Sequence, residues 1–192
     1  MFGSITYQYG VRREYHPFLL FQREDGPAVE TLNGTKEWWV NGKRHREDGP
    51  AIERSDGTKE WRHHGLLHRI DGPAIERSDG TKEWWVNEKL HREDGPAIET
   101  SDGTKEWWVN GKRHRNYEPA IEHANGTKEW WFNGQLHRGD GPAIEYANGT
   151  SAWYQDGVRY YRGINADDMY NTMDILSIIS NMERIFHIVS DE

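Results

Sequence analysis

The chain contains no cysteine among its 192 residues, so it can form neither a disulfide nor a thiolate site. Such an absence is typical of a reducing compartment, and we expect a cytoplasmic protein. No apolar run reaches the roughly 18 residues that a membrane span requires, so we expect no membrane partner. Residues 1–22 also lack the order of a secretory signal, in which basic residues precede a long apolar core.

Large aliphatic side chains are scarce, because Leu, Ile, Val and Phe together make up only about 17% of the chain. Combined with a formal net charge of −8, this composition alone leans towards disorder. Ten tryptophans and nine tyrosines argue the other way, since each large ring removes much apolar surface when it is buried. We therefore expect a thin, aromatic-rich structure. The acidic balance also argues against broad nucleic-acid binding.

What the chain does have is a repeat with a period of 23 residues. The interval separates the prolines of six Gly-Pro or Glu-Pro steps: Pro27, Pro50, Pro73, Pro96, Pro119 and Pro142. A tryptophan series keeps the same interval: Trp38, Trp61, Trp84, Trp107, Trp130 and Trp153. Six copies at a fixed short period predict a repeat architecture, in which each unit buries its apolar groups against its neighbours.

Each copy carries turn signals that predict antiparallel hairpins. The first is an Asn-Gly or Asp-Gly pair such as Asp56-Gly57, and the second follows the tryptophans, as at Asn41-Gly42. Short strand-like segments such as Lys82 to Val86 lie between them. The predicted fold class is all-β: an elongated array of six 23-residue β-hairpin repeats, closed by a C-terminal amphipathic helix as a cap.

The register of the first hairpin has two solutions. A two-residue turn at Asp56-Gly57 places Glu53 opposite Glu60, an unfavourable pair of like charges. A three-residue loop with Gly57 in the left-handed region pairs Glu53 with Lys59 instead. A shift of one residue reverses the face on which every side chain lies, and the sequence leaves both alternatives open.

The two ends depart from the repeat, which divides the chain into three predicted parts. Residues 1–23 form an N-terminal cap or partial copy, and residues 24–162 hold the six copies. Residues 163–192 form the C-terminal helical cap, since apolar residues recur there at helical spacing. A partner-docking or self-association role for this helix, giving a homo-oligomer, is the alternative.

The segment "NGKRHREDGPAIERSDGTKEW" resembles the MORN repeat, in the MORN-like form found in bacterial and phage proteins. The resemblance covers about residues 21 to 162 and rests on an aromatic strand, Asn-Gly, a histidine, a glycine and a closing Asp-Gly. One set of these motif positions is Trp38, Asn41-Gly42, His45, Gly49 and Asp56-Gly57. The chain departs from the common form in having His-Arg-x-Asp-Gly-Pro in place of His-Gly-x-Gly. The resemblance implies a hairpin array for binding or scaffolding, with no shared catalytic residues.

Two rows of side chains are the candidate binding residues. The second tryptophan of each pair is replaced by Arg62 in copy 2 and Tyr154 in copy 6, which suggests a position nearer solvent. An exposed aromatic row for stacking or anchoring and a covered packing row are the two alternatives. The arginines either pair with nearby aspartates or grip phosphates and carboxylates. The candidates are Trp39, Trp85, Trp108, Trp131, Arg46, Arg69, Arg92, Arg115 and Arg138.

A histidine also recurs in five copies, and we predict that it fills a packing or hydrogen-bonding niche. Equivalent groups two strands apart are separated by roughly 9–10 Å, too far to share one ion. His64 and His68 have a zinc-like spacing beside His63, but no further ligand pair is evident, so we expect no metal and no other cofactor. The irregular second and fifth copies reflect either drift or a local site. No nucleophile with a base is evident, and we expect no enzyme.

The sequence therefore predicts a non-catalytic protein that uses a repetitive β surface for protein–protein interaction, in a bacterial or phage setting. A second hypothesis is a sequestering protein for a nucleotide or other small phosphorylated ligand, such as a phage counter-defence factor. In that case the tryptophans stack bases and the arginines hold phosphates. A third is an acidic decoy of nucleic acid, disfavoured because lysines and arginines interrupt the negative charge.

Overall fold

The computed structural model describes residues 4–8, 11–15, 23 and 25–161, and it describes side chains from residue 23 onward. All regular elements in this part of the chain are strands, many of only two residues. In chain order they are β1 Ser4–Gln8, β2 Val11–Tyr15, β3 Val29–Glu30, β4 Lys36–Glu37, β5 Trp39–Val40, β6 Lys43–Arg44, β7 Ile52–Glu53, β8 Lys59–Glu60, β9 Arg62–His63, β10 Leu66–Leu67, β11 Ile75–Glu76, β12 Lys82–Glu83, β13 Trp85–Val86, β14 Lys89–Leu90, β15 Ile98–Glu99, β16 Lys105–Glu106, β17 Trp108–Val109, β18 Lys112–Arg113, β19 Ile121–Glu122, β20 Lys128–Glu129, β21 Trp131–Phe132, β22 Gln135–Leu136, β23 Ile144–Glu145, β24 Ser151–Gln155 and β25 Val158–Tyr160. The described residues contain no helix that is long and apolar enough to span a membrane.

Fifteen of the strands form one antiparallel sheet in the order β1-β2-β3-β4-β7-β8-β11-β12-β15-β16-β19-β20-β23-β24-β25. Each of the first five copies then adds a two-stranded hairpin outside this order, from β5–β6 in copy 1 to β21–β22 in copy 5. Copies are counted from residue 24 in steps of 23. The predicted all-β array of repeated hairpins is confirmed for the described residues. The C-terminal helix predicted for residues 163–192 lies outside them.

The first turn of each copy is a three-residue loop. In copy 2 the Arg54 amide donates to the Thr58 carbonyl oxygen at 2.8 Å, and the Gly57 amide donates to Arg54 at 3.0 Å. Gly57 has a φ of 93°, in the region that glycine adopts without steric cost. Glu53 consequently pairs with Lys59, and the second of the two registers is the correct one. Opposite charges face each other across the strands, which favours this register over the like-charge alternative.

The second turn of each copy is a two-residue turn with both central residues at positive φ. Asn41 has a φ of 50° and Gly42 a φ of 71°. Positive φ at both positions defines the type I′ turn, whose twist matches that of the flanking strands. In copy 3 the glycine is replaced by Glu88, which keeps a positive φ of 63°.

Neighbouring copies are hydrogen-bonded at both of their turns. At the first turn, the Ser78 amide of copy 3 donates to Thr58 Oγ1 of copy 2 at 3.3 Å. At the second, the Gly65 amide of copy 2 donates to the Arg44 carbonyl of copy 1 at 2.8 Å. Equivalent bonds recur along the array, including those of Thr81 to Ser101 and of Leu90 to Gly111. One copy therefore completes the hydrogen bonding of the next, as expected for a repeat protein.

The core between the copies is thin. An alanine in each copy is fully buried, with 0% of its surface exposed: Ala28, Ala51, Ala74, Ala97, Ala120 and Ala143. Beside it lies an isoleucine or valine, and Ile52 is the largest fully buried side chain in the described residues. The first tryptophan of each copy links the sheet to the short hairpin. In copy 1, the Trp38 amide donates to Ala51 and its carbonyl accepts from the His45 amide.

Candidate functional site

The recurring histidines join one copy to the next. Each Nδ1 atom accepts a hydrogen bond from the first turn residue of the following copy, over distances of 3.1 to 3.3 Å. The pairs are His45 with His64, His68 with Asn87, His91 with Asn110, His114 with Asn133 and His137 with Asp156. The prediction that these histidines fill a hydrogen-bonding niche is confirmed.

Each candidate arginine stacks over the first tryptophan of its own copy. The guanidinium carbon lies 3.9 to 4.2 Å from the ring centroid in all five cases. Arg92 shows the arrangement: it covers Trp84, and its Nε donates to Asp94 at 2.9 Å while Nη1 donates to the Pro96 carbonyl at 3.2 Å. Arg46, Arg69, Arg115 and Arg138 occupy the same position in their copies.

These contacts use the arginine row within the repeat itself. Arg92 also pairs with Glu99 at 3.2 Å, so three acceptors and one ring surround its guanidinium group. The absence of a side chain at Gly95 permits this position, because a Cβ atom there would lie 2.9 Å from the Arg92 guanidinium carbon. A phosphate or carboxylate ligand would have to displace these partners.

The second tryptophans are half-buried, and each donates its indole N–H to a glutamate two residues earlier. The bond from Trp85 to Glu83 is 2.9 Å long, and the bond from Trp131 to Glu129 is 2.8 Å long. Trp39 and Trp108 bond to their glutamates in the same way. Of the ten tryptophans, Trp130 is buried and the other nine are half-buried.

A groove opens between neighbouring copies on the side that carries the Gly-Pro loops. The first groove has a cavity volume of about 780 Å³ and contains Trp38, Val40 and His45, with Asp25 and Glu47 among its lining residues. The second groove, one copy later, has a volume of about 560 Å³ and contains Trp61, His63 and His68 at the equivalent positions. The fifth groove has a volume of about 480 Å³ and contains Trp130, Phe132 and His137.

The rims of the first two grooves are acidic. Glu47 and Asp48 line both, and their side chains are 89% and 84% exposed. Arg46 hydrogen-bonds to Asp48, and the hydrogen bond and charge of this arginine lower the pKa of the Asp48 carboxyl. In the same way, Arg69 lowers the pKa of Asp71 and Arg92 lowers the pKa of Asp94. These carboxylates are therefore ionised at neutral pH and face solvent.

Two exposed apolar residues interrupt this row of charged loops. Ile70 of copy 3 stands where copies 1, 2 and 4 have glutamate, and 87% of its surface is exposed. Tyr117 of copy 5 stands where the other copies have aspartate, and it is 98% exposed. Neither residue is among the candidate binding residues named from the sequence, although the irregular fifth copy that contains Tyr117 was considered there as a possible local site. The departure of Ile70 from the 23-residue pattern is the signal that could have found it.

The irregular second copy brings three imidazoles together. His63 and His64 replace the Val-Asn pair of copies 1, 3 and 4, and both contact His45 of copy 1. The His45 and His64 rings stack with centroids 4.6 Å apart, and the His45 and His63 centroids are 4.8 Å apart. Burial, followed by the proximity of His64 and His63, lowers the pKa of His45. His68, which the spacing had grouped with His64, instead bonds to Asn87.

The third departure in copy 2 is compensated by a departure in copy 3. Arg62 replaces the second tryptophan, and its Nε donates to Glu60 at 2.9 Å, as the indole does elsewhere. Its Nη1 donates to Gly65 at 2.9 Å and to Glu88 at 3.3 Å. Glu88 also accepts from the Leu67 amide at 2.8 Å. The unusual glutamate in the turn of copy 3 therefore supports the unusual arginine of copy 2.

Comparison of the chain with protein-family models finds no match, and comparison with curated proteins likewise finds none.

Proposed function

We propose that the chain is a non-catalytic MORN-like binding protein whose groove row docks an extended, basic segment of a protein partner. The observation that carries this proposal is the recurrence of one groove along the array, with Glu47 and Asp48 exposed at its rim. A formal net charge of −8 adds a long-range attraction for a basic partner. Ile70 and Tyr117 supply exposed apolar anchors in the same loop row.

The spacing of the grooves favours one backbone conformation for that segment. Equivalent points of neighbouring copies are two strands apart, roughly 9–10 Å from the usual strand spacing. A polyproline II helix has three residues per turn with a rise of about 3.1 Å each, so it presents the same face about every 9.3 Å. In a β-strand every third residue lies on the opposite face from the one before it, so a basic residue at every third position would meet only alternate grooves. A basic residue at every third position of a polyproline II segment would meet successive acidic rims.

The state of the arginine row supports a protein partner over a phosphorylated small molecule. Arg69 and Arg92 each bond to an aspartate, a backbone carbonyl and a glutamate, and each covers a tryptophan ring. The aspartates Asp71 and Asp94 add negative charge beside them, which repels an anion. Nucleotide sequestration remains the second hypothesis and is an arm of the test.

Fluorescence anisotropy with labelled twelve-residue peptides tests the proposal. A repeating Arg-Pro-Pro peptide should bind, and binding should weaken as salt rises because the rims are exposed to solvent. A Glu-Pro-Pro peptide is the charge control, and a peptide of the same composition as the Arg-Pro-Pro repeat, with its arginines grouped together, is the spacing control; neither should bind comparably. The double variant Glu47→Gln/Glu93→Gln should weaken binding, since both side chains are almost fully exposed and each lies no nearer than 3.8 and 3.7 Å, respectively, to a histidine nitrogen.

Equal binding of the Arg-Pro-Pro and Glu-Pro-Pro peptides would contradict a role for the acidic rims. Titration with ATP in the same samples addresses the second hypothesis. Quenching of tryptophan fluorescence by ATP, reduced in Arg92→Ala, would support sequestration of a nucleotide in place of peptide binding.

A further inference from the structure

The three histidines at the junction of copies 1 and 2 place nitrogen atoms close together, as ligands of a metal ion require. One nitrogen from each of His45, His63 and His64 lies within 4.8 Å of the other two. Nitrogen atoms that bind one zinc ion at 2.0–2.1 Å in a tetrahedron are about 3.3 Å apart. The three imidazoles must move closer together to bind one ion, and His63 and His64 lie at the surface.

We propose that His45, His63 and His64 form a binding site for a divalent late transition metal ion, with Zn²⁺ as the representative member. Imidazole is a preferred ligand of zinc, copper and nickel, and three protein nitrogens leave a position for water. The proposal replaces the sequence-based expectation that the chain holds no metal. That expectation weighed equivalent histidines of neighbouring copies, and the histidines of copy 2 among themselves, but not His45 of copy 1 together with His63 and His64.

Both departures from the repeat in this region add an imidazole beside the recurring histidine. Valine occupies the position of His63 in copies 1, 3 and 4, at Val40, Val86 and Val109. Asparagine occupies the position of His64 in four other copies, at Asn41, Asn87, Asn110 and Asn133. Neither histidine is needed for the fold, because those copies form the same strands and the same turn without it.

His45 is suited to ligation because its ring is oriented from both sides. Its Nδ1 accepts the His64 amide at 3.1 Å, and its Nε2 lies 3.8 Å from Glu47 Oε1. Ligation through Nδ1 exchanges one hydrogen bond for a metal–nitrogen bond and leaves Nε2–H towards the carboxylate. A carboxylate on the far nitrogen is the usual support of a metal-bound imidazole.

The decisive variant is the double substitution His63→Val/His64→Asn, which restores the residues of copies 1, 3 and 4 and places Asn before Gly65 in the turn. The matched control is His123→Thr, which removes an imidazole outside the cluster and installs the residue found at Thr100. Circular dichroism and thermal unfolding of each untagged full chain confirm that the variants fold.

Isothermal titration of the metal-free chain with zinc chloride measures the affinity. The wild type and His123→Thr should bind one ion per chain. The double variant should lose more than the roughly 10- to 100-fold in affinity that removing a mere supporting contact costs, since two ligands are gone. Equal affinities for the wild type and the double variant, or no saturable binding by the wild type, would overturn the proposal.

A second measurement uses the wild type alone and does not depend on the variant. Zinc should shift the imidazole NMR resonances of His45, His63 and His64 and leave those of His91 and His114 in place. Shifts spread over the other histidines, with the cluster unaffected, would overturn the site. The peptide experiment tests the rim glutamates and the spacing of arginines in the peptide, whereas the zinc experiment tests the histidines. Failure of one proposal is therefore distinguishable from failure of the other.

Discussion

His91 Nδ1 accepts a hydrogen bond from the backbone amide of Asn110, 3.2 Å away and 19 residues later in the chain. The bond ties the second turn of copy 4 to the end of copy 3, and the same bond recurs at each junction between copies. A histidine that looks like a candidate ligand in the sequence is therefore part of what orders the array.

The first prediction concerns this bond. His91→Phe keeps a ring of similar shape but removes the acceptor, so the Asn110 amide loses its partner. We expect the free energy of unfolding to fall by about 1 kcal/mol, the usual net value of one hydrogen bond at a partly exposed site. Urea denaturation measures it. Ser101→Ala is the matched control, because alanine occupies that position at Ala124 and Ala147; a loss of equal size there would contradict the assignment.

The second prediction concerns Arg92. Arg92→Lys keeps the positive charge but cannot bond to Asp94, Pro96 and Glu99 together, because lysine lacks the planar fork of arginine. It also weakens the contact with Trp84. We expect thermal stability to fall by about 1–2 kcal/mol, a value that allows for solvent screening of these partly exposed groups. An unchanged melting temperature would show that the arginine row is free to serve a ligand.

The third prediction is a coupling between Arg62 and Glu88. Glu88→Gly puts glycine at a turn position with positive φ, but it removes the acceptor for Arg62 and for the Leu67 amide. Arg62→Trp restores the tryptophan of the other copies. We expect the double variant to be more stable than the sum of the single changes by about 0.5–1 kcal/mol, because the two departures depend on each other. Urea denaturation of the wild type, the two single variants and the double variant measures this coupling. Additive effects of the two substitutions would refute it.

The fourth prediction is acid destabilisation through Glu60. Burial pushes the pKa of this carboxyl up, but the hydrogen bonds and charges of Arg54 and Arg62 outweigh it and hold the pKa below its ordinary value of 4.5. Above pH 4.5 the group is ionised in both the folded and the unfolded chain, so its stabilisation is fully present. As the pH falls further, the unfolded chain takes up the proton first and stability is lost.

Glu60→Gln removes this contribution, so the variant should lose less stability than the wild type between neutral pH and pH 3. The comparison of each chain with itself at two pH values cancels any general weakening caused by the substitution. Urea denaturation at each pH measures the stability of both chains. An identical pH dependence for the wild type and the variant would show that Glu60 does not titrate in this range.

The repeat architecture could be predicted because its causes are local. A 23-residue interval and Asn-Gly or Asp-Gly pairs act through short-range backbone preferences, which determine where turns occur wherever the copy stands. The type I′ turn at Asn41-Gly42 follows directly from this. The register did not, because Asp56-Gly57 suits both a two-residue turn and a three-residue loop. The pairing of Glu53 with Lys59 across the strands decided it.

The tertiary structure alone decided which side chains meet between copies. The sequence placed Arg92 beside Asp94, but only folding laid it over Trp84 and gave it Glu99 as well. It likewise brought His45 against His63 and His64, which are 18 and 19 residues away in the chain. The physical reason is that the period determines the composition of one copy, whereas contacts between copies depend on strand register and on the angle of each hairpin.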